Sequence, residues 1–285
     1  MPVVLLGVFA ALAWSIHDLF ARSLAARTGP YRMAMLVMLT GFVLLSGFVA
    51  FNGNIGNASA TGLALAAGLG VAYGLGGAGL FKAFSLGPIS LVAPLTAGYP
   101  VLVFLWGITH GLRPTFVQWI ASAVAIAGAA IVARARGGGV EEVEKGKLPA
   151  LIFFCALASA GYAAAIIFGQ NAAVAIGEVE ATWISRPAAM LTLLLFVAGE
   201  TRQPPLRVRH WLGLVFVGAL DVVAVIAVSA AGHLPGREFA AIGVSAYGAI
   251  AVLLAMIFLK EKVSMGQWAG IVLIVAGVAT LAVSQ

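Results

Sequence analysis

The chain has 285 residues, of which 62% are hydrophobic and only 9% charged, with a formal charge of +6. An ordinary soluble domain carries about 25% charged residues, and one soluble core of this size cannot hide so much apolar surface. The composition therefore excludes a soluble enzyme or binding module and points to a membrane. The positive charge is not a nucleic-acid footprint, because the basic residues sit at the ends of apolar runs, where cytoplasmic anchoring puts them.

A helix crossing the hydrocarbon layer needs about 20 mostly apolar residues. Ten stretches qualify, at approximately 3–21, 31–51, 60–82, 88–108, 115–133, 148–169, 181–199, 211–231, 239–259 and 264–283. The first lacks a basic leader and a small-residue cleavage site, so it reads as a retained helix. It sets Trp14, His17 and Asp18 on one face, at spacings of three and four. Arg22, four residues beyond Asp18, offers an end-of-helix salt bridge as the structural alternative. His17 suits proton coupling, since an imidazole changes charge near neutral pH.

The third span reads GLGVAYGLGGAG around Tyr73, with glycines spaced for close helix packing. The fourth contains Tyr99 between Pro94 and Pro100, prolines that break internal hydrogen bonds and allow bending. After the fifth comes RARGGGVEEVEKGK, 134–147, the one long charged linker, almost at mid-chain. The sixth span holds Tyr162 and the chain's single cysteine, Cys155, which reads as a packing residue. Arg186 lies a turn or more inside the seventh span, and Asp221 is about ten residues from either end of the eighth. Their depths differ by about 8 Å at 1.5 Å per residue, within reach of an extended arginine. Intramembrane charges cost several kcal/mol unless paired or hydrated, so these two are expected to meet, in a site or in a purely structural pair. The ninth span opens with Arg237-Glu238, read as an interfacial pair, and carries Tyr247 between Gly243 and Gly248. These two glycines stand where the fourth span has its prolines, and the four residues are the predicted hinges.

Five of the six tryptophans (Trp106, Trp119, Trp183, Trp211 and Trp268) fall near span ends, where interfacial belts form. Trp14 does not, nor do Tyr73, Tyr99, Tyr162 and Tyr247, which lie mid-span. A tyrosine hydroxyl facing lipid tails has no partner, so a shared polar cavity is expected, with simple interhelical hydrogen bonds as the alternative for any one of them.

The two halves resemble one another. A shift of 149 residues lays QWIASAVAIAGAAIVA, from Gln118, on QWAGIVLIVAGVATLA, from Gln267, with six of sixteen positions identical. A shift of 148 sets Trp14 against Tyr162. Five spans per half place the second copy upside down, so the predicted fold is an all-α integral membrane protein of ten transmembrane helices. These form two inverted five-helix repeats, 1–133 and 148–285, an arrangement many secondary transporters use around a midplane site. Thirteen of the sixteen Lys and Arg fall on the face of the odd-to-even loops, which the positive-inside rule would put in the cytoplasm, with both termini outside. Gly74, Gly76 and Gly79 satisfy a dinucleotide-binding pattern, but without its βαβ context. There is no Walker lysine, no Cys/His cluster of zinc spacing and no nucleophile elbow, so no cofactor or metal is expected.

FKAFSLGPISLVAPL, 81–95, resembles the turn between the third and fourth helices of the drug/metabolite transporter superfamily, EamA branch. The paired Gln-Trp segments, and FLKEKVSMGQW with Glu261 in its acidic turn, resemble the same family; Leu112 stands where the first half would carry that acid. The resemblance implies cytoplasmic termini, opposite to the charge count. It also implies export of small metabolites across a cytoplasmic (inner) membrane, with amino acids the leading substrates. On that reading Asp221 or Asp18 meets an α-ammonium, Arg186 a carboxylate, and Trp14, His17 and the four mid-span tyrosines line the site. Efflux of drugs or other metabolites is the rival reading, and a passive channel a second. A membrane-embedded enzyme would need a catalytic constellation that the sequence lacks.

Overall fold

A computed structural model describes residues 2–53, 56, 58–86, 92, 96, 98–134, 146–200, 206, 208–259 and 263–284. The described residues fold into eleven α-helices and one 3-10 turn, with no strand. They are α1 (Val3–Thr28), α2 (Pro30–Asn52), α3 (Ala60–Leu86), α4 (Tyr99–Thr109), α5 (Phe116–Arg134), α6 (Leu148–Ile176), α7 (Glu178–Val197), α8 (Val208–Ala230), α9 (Phe239–Val244), α10 (Tyr247–Leu259) and α11 (Met265–Ser284).

Seven stretches are long and apolar enough to cross a membrane: Val3–Ala21, Tyr31–Asn52, Ala60–Ala83, Leu148–Ile176, His210–His233, Phe239–Phe258 and Met265–Ser284. The other three of the ten expected spans differ for particular reasons. α4 has 11 described residues, the rest of the fourth stretch lying largely outside the described residues. The apolar part of α5 stops at Val132. α7 carries Glu178, Glu180 and Arg186, so its composition is less apolar than that of its neighbours.

The chain turns sharply at two single-residue links. Gly29 joins α1 to α2 with φ 79 and ψ 148, and Gly177 joins α6 to α7 with φ 89 and ψ 147. A side chain at either φ would be strained, so glycine is what lets one long helix follow another directly. Pro30 then opens α2, where its missing N–H costs nothing. The start of α2 is covered from the other half of the chain: the Glu200 carboxylate accepts the N–H groups of Tyr31 and Arg32 at 2.7 and 3.1 Å.

The Gln-Trp repeat is a pair of helix caps. Thr115 N–H donates to Gln118 Oε1 at 3.0 Å while Gln118 N–H donates to Thr115 Oγ1 at 3.3 Å. Ser264 and Gln267 repeat this at 2.8 and 3.2 Å. Each is a capping box that satisfies two orphan donors at a helix start. The helices so begun, α5 and α11, pack on each other through glycine. A Cβ at Gly128 would meet the Gly270 carbonyl at 2.7 Å, and one at Gly277 would meet the Ala121 carbonyl at 2.6 Å. Elsewhere α1 packs on α8, α9 and α10, α2 on α7 and α8, and α3 on α6 and α7.

Pro100 lies in the first turn of α4, after Gly98; Pro94 lies outside the described residues. The ninth stretch is broken between α9 and α10, where Ser245 and Ala246 N–H donate back to Ile242 and Gly243 at 3.0 and 3.1 Å. Gly243 and Gly248 flank that break, and Gly243 also packs against the backbone of α1 at Val4. Among the described residues, a proline inside a helix is Pro187 of α7, one residue after Arg186.

Replacing Gly128 by leucine forces α5 from α11 at a backbone contact, and overpacking of this kind costs about 1–3 kcal/mol. Thermal unfolding of the purified protein in detergent should show a clearly lowered transition for Gly128→Leu, whereas a leucine at Gly47, where open space surrounds the Cβ position, should leave it near the parent value.

Candidate functional site

The apolar helices meet around one carboxylate. Asp221 of α8 and Arg186 of α7 are each 1% exposed. Arg186 Nη1 donates to Asp221 Oδ2 at 2.5 Å. The Tyr73 hydroxyl, from α3, donates to Asp221 Oδ1 at 2.6 Å, and Trp14 Nε1, from α1, donates to the same oxygen at 3.2 Å. An ionised carboxylate in such a place is tolerated only when paired and hydrogen-bonded. Here one cation and two neutral donors do that, and in doing so they tie α1, α3, α7 and α8 together.

Arg186 is held in turn by α2. Its Nη1 also lies 3.0 Å from Met38 Sδ, and Nε is 3.6 Å from where a Gly41 Cβ would stand. Nε and Nη2 have no protein partner. The pair expected from the two depths therefore forms, with α2 as its back wall. Met38 was not foreseen, because a methionine in an apolar run gives no sign of what it faces. Pro187 was overlooked, although a proline beside an intramembrane arginine was plain to read.

A second polar group lies beside the first. Tyr247 of α10 donates its hydroxyl to Asp18 Oδ2, and His17 Nδ1 lies 2.7 Å from Asp18 Oδ1. The Asp18 side chain is 50% exposed. Ser15 fixes the approach of α10 by donating to the Tyr247 carbonyl at 3.2 Å. Electrostatically His17 is within reach of Asp221 and Arg186, and Tyr162 within reach of both Asp18 and Asp221, so the two carboxylates belong to one neighbourhood. Tyr162 of α6 bridges to the remaining aromatics, with ring centroids 5.8 Å from Tyr73 and 6.0 Å from Tyr99, both edge-on. Trp14 and the four tyrosines are all half-buried.

All nine residues expected to line a cavity are thus neighbours of this cluster, contributed by α1, α3, α4, α6, α7, α8 and α10. The Arg237-Glu238 pair lies apart from them: Nε to Oε1 is 3.6 Å, and the guanidinium stacks over Trp106 at 5.6 Å. An apolar depression of about 500 Å³ between α3 and α6, walled by Val71, Leu75, Leu157 and Phe168, offers no comparable chemistry. Among the described residues, no group of three or more acidic, His or Cys side chains is placed to hold a metal.

The model of the EamA-like transporter family matches the chain in two segments, residues 1–134 and 149–283, on either side of the charged linker. Among curated proteins none matches at a significant level. A crystal structure of a protein superposes with a TM-score of 0.80 at 19% identity, covering 98% of this chain and 95% of that one. At that identity the likeness shows the fold alone.

The two donors on Asp221 should differ from the donor on Asp18. Hydrogen bonds to a buried charge contribute about 1.5–3 kcal/mol, so Tyr73→Phe should lower the unfolding transition markedly. Tyr247→Phe, which removes a donor from a half-exposed carboxylate, should lower it less. Thermal melts of both variants in one detergent compare them directly.

Proposed function

The chain belongs to the EamA-like transporter family, the EamA type of the drug/metabolite transporter superfamily, and from that premise we propose that it exports small polar or amphiphilic metabolites, amino acids foremost, by alternating access around the Asp221-centred cluster. The observation that carries this reading is the cluster itself. A membrane helix bundle gains nothing in stability from burying an ion pair that apolar side chains could replace, yet four helices contribute to this one, and half-buried aromatic side chains surround it. Such a site can hold a solute with both a polar and an apolar part, and no covalent step is needed.

We further propose that the bundle is two inverted five-helix repeats. Helix contacts support this, because exchange of the halves maps α1–α8 onto α6–α3 and α2–α8 onto α7–α3. The single-residue glycine links, the two capping boxes and the reciprocal approaches of α5 and α11 follow the same exchange. The break between α9 and α10, and Pro187 of α7, would let these elements bend as the halves rock. We assign the hinges to Gly243 and Gly248, with Pro94 and Pro100 at the corresponding place in the first half.

Counterflow in proteoliposomes preloaded with unlabelled amino acids tests the carrier reading. Saturable uptake of a labelled amino acid, blocked by competitors and abolished in folded Asp221→Asn protein, is the expected result. Leakage that never saturates would favour a channel. An absence of exchange with every amino acid would favour efflux of another solute class.

A further inference from the structure

Away from the Asp221 cluster, one buried polar side chain lies where a carrier has to part. By their packing α1, α8, α9 and α10 form one group of helices, while α6 packs with α3 and α4 in another. On the face where α1 starts and α4, α6 and α8 end, the 3-10 turn at Ala231–His233 and α9 join the two groups. Gln170, near the end of α6, is fully buried there, and its Nε2 donates to the Arg237 carbonyl at 3.0 Å. Arg237 lays its guanidinium over Trp106 of α4 and pairs with Glu238, which lies against Gly107 of α4. Phe239 follows, with its ring centroid 5.8 Å from that of Phe104. Three consecutive residues at the start of α9 thus grip α4 and α6.

The segment they anchor is separable from its neighbours. α9 has six residues, all buried, which plug the bundle on this face. Six residues make about one and a half turns, and the backbone breaks at Ser245 and Ala246 before α10 begins. So short a helix has little stability of its own, and tertiary contacts keep it in place. Gln170 is the informative contact, because its Oε1 has no partner. A buried amide with an unmet acceptor is disfavoured, and an apolar side chain would pack there without that cost. The cost disappears when α9 withdraws and water reaches Oε1. One side chain therefore both holds the closed arrangement, through its donor, and opposes it, through its acceptor. That balance suits a contact that breaks and re-forms.

We infer that residues 231–244 are the gate on this face, that Gln170 is its latch, and that the structure holds the gate closed. The inference rests on the carrier reading above and goes beyond it, by naming the segment that moves and the contacts that release it. Gln170 is a positioning residue: it acts on the Arg237 carbonyl and not on the solute. Trp106 and Gly107 complete the seat, and the break at Ser245 and Ala246 is where the segment turns as it leaves.

Two measurements on the full-length protein test it. The first is amide hydrogen exchange read by mass spectrometry. A carboxylate only accepts hydrogen bonds, so Gln170→Glu loses the donor that faces the Arg237 carbonyl. Peptides across 231–244 should then exchange at least about tenfold faster than in the parent, while α5 and α11 stay within about twofold. Gly107→Val, which wedges α4 from Glu238, should do the same and serves if Gln170→Glu fails to fold. Unchanged exchange in both variants, or a rise spread evenly over the chain, overturns the gate. The second is a lock, with Gly107→Cys and Glu238→Cys placed in a Cys155→Ser background. A Cβ at Gly107 would stand 3.2 Å from Glu238 Cβ, near the usual disulfide span of about 3.8 Å. The disulfide should form readily, cut counterflow at least about tenfold, and release it on reduction. A folded pair that does not oxidise, or an oxidised pair that exchanges solute like its reduced form, overturns the gate and leaves the carrier reading intact. Failure of the parent to exchange any solute overturns the carrier reading. In that case, or if the reduced pair alone is inactive, hydrogen exchange decides whether the segment opens.

Discussion

The buried Arg186–Asp221 pair is the constraint to which the rest of the bundle answers. Each charge alone would cost several kcal/mol at this depth, so neither helix that carries one can move away without exposing the other. The 2.5 Å contact joins α7 to α8 within the second half of the chain, and the Tyr73 and Trp14 donors then bring in α3 and α1 from the first. α2 supplies the wall through Met38 and Gly41. Five helices from both halves are therefore indexed to one pair of atoms. The half-exposed aromatics and Asp18 occupy the space that this indexing leaves.

Much of this was legible because membrane sequences are economical. In a chain with 9% charged residues, an arginine and an aspartate inside apolar runs are conspicuous, and their depths alone brought them within reach. The same scarcity marked Trp14 and the mid-span tyrosines. The Gln-Trp repeat was visible as a likeness, while its cause appeared only with the capping boxes at Thr115–Gln118 and Ser264–Gln267. Side-chain capping is a local interaction, which is why it survives as a readable motif.

What was not legible is either non-local or a matter of backbone. No pattern in α2 announces that Met38 backs Arg186, and none in the residues after α7 announces that Glu200 will cap α2. The continuous ninth helix was the reasonable expectation for an unbroken apolar run, but its backbone shifts to i→i+3 bonding at Ser245 and Ala246. Pro100 stands in the first turn of α4, where a proline starts a helix well. α1, which runs to Thr28, exceeds its apolar stretch, Val3–Ala21, because polar residues extend a membrane helix at little cost beyond the hydrocarbon.

The central claim is that the Arg186–Asp221 pair organises a transport site and is not merely a packing solution. A double-mutant cycle with Arg186→Met and Asp221→Leu, read by both thermal unfolding and counterflow, separates the two. The account predicts that each single variant loses about 3–5 kcal/mol, that the double variant recovers most of that stability, and that all three are inactive in transport. A double variant that regains stability and also transports like the parent would contradict it.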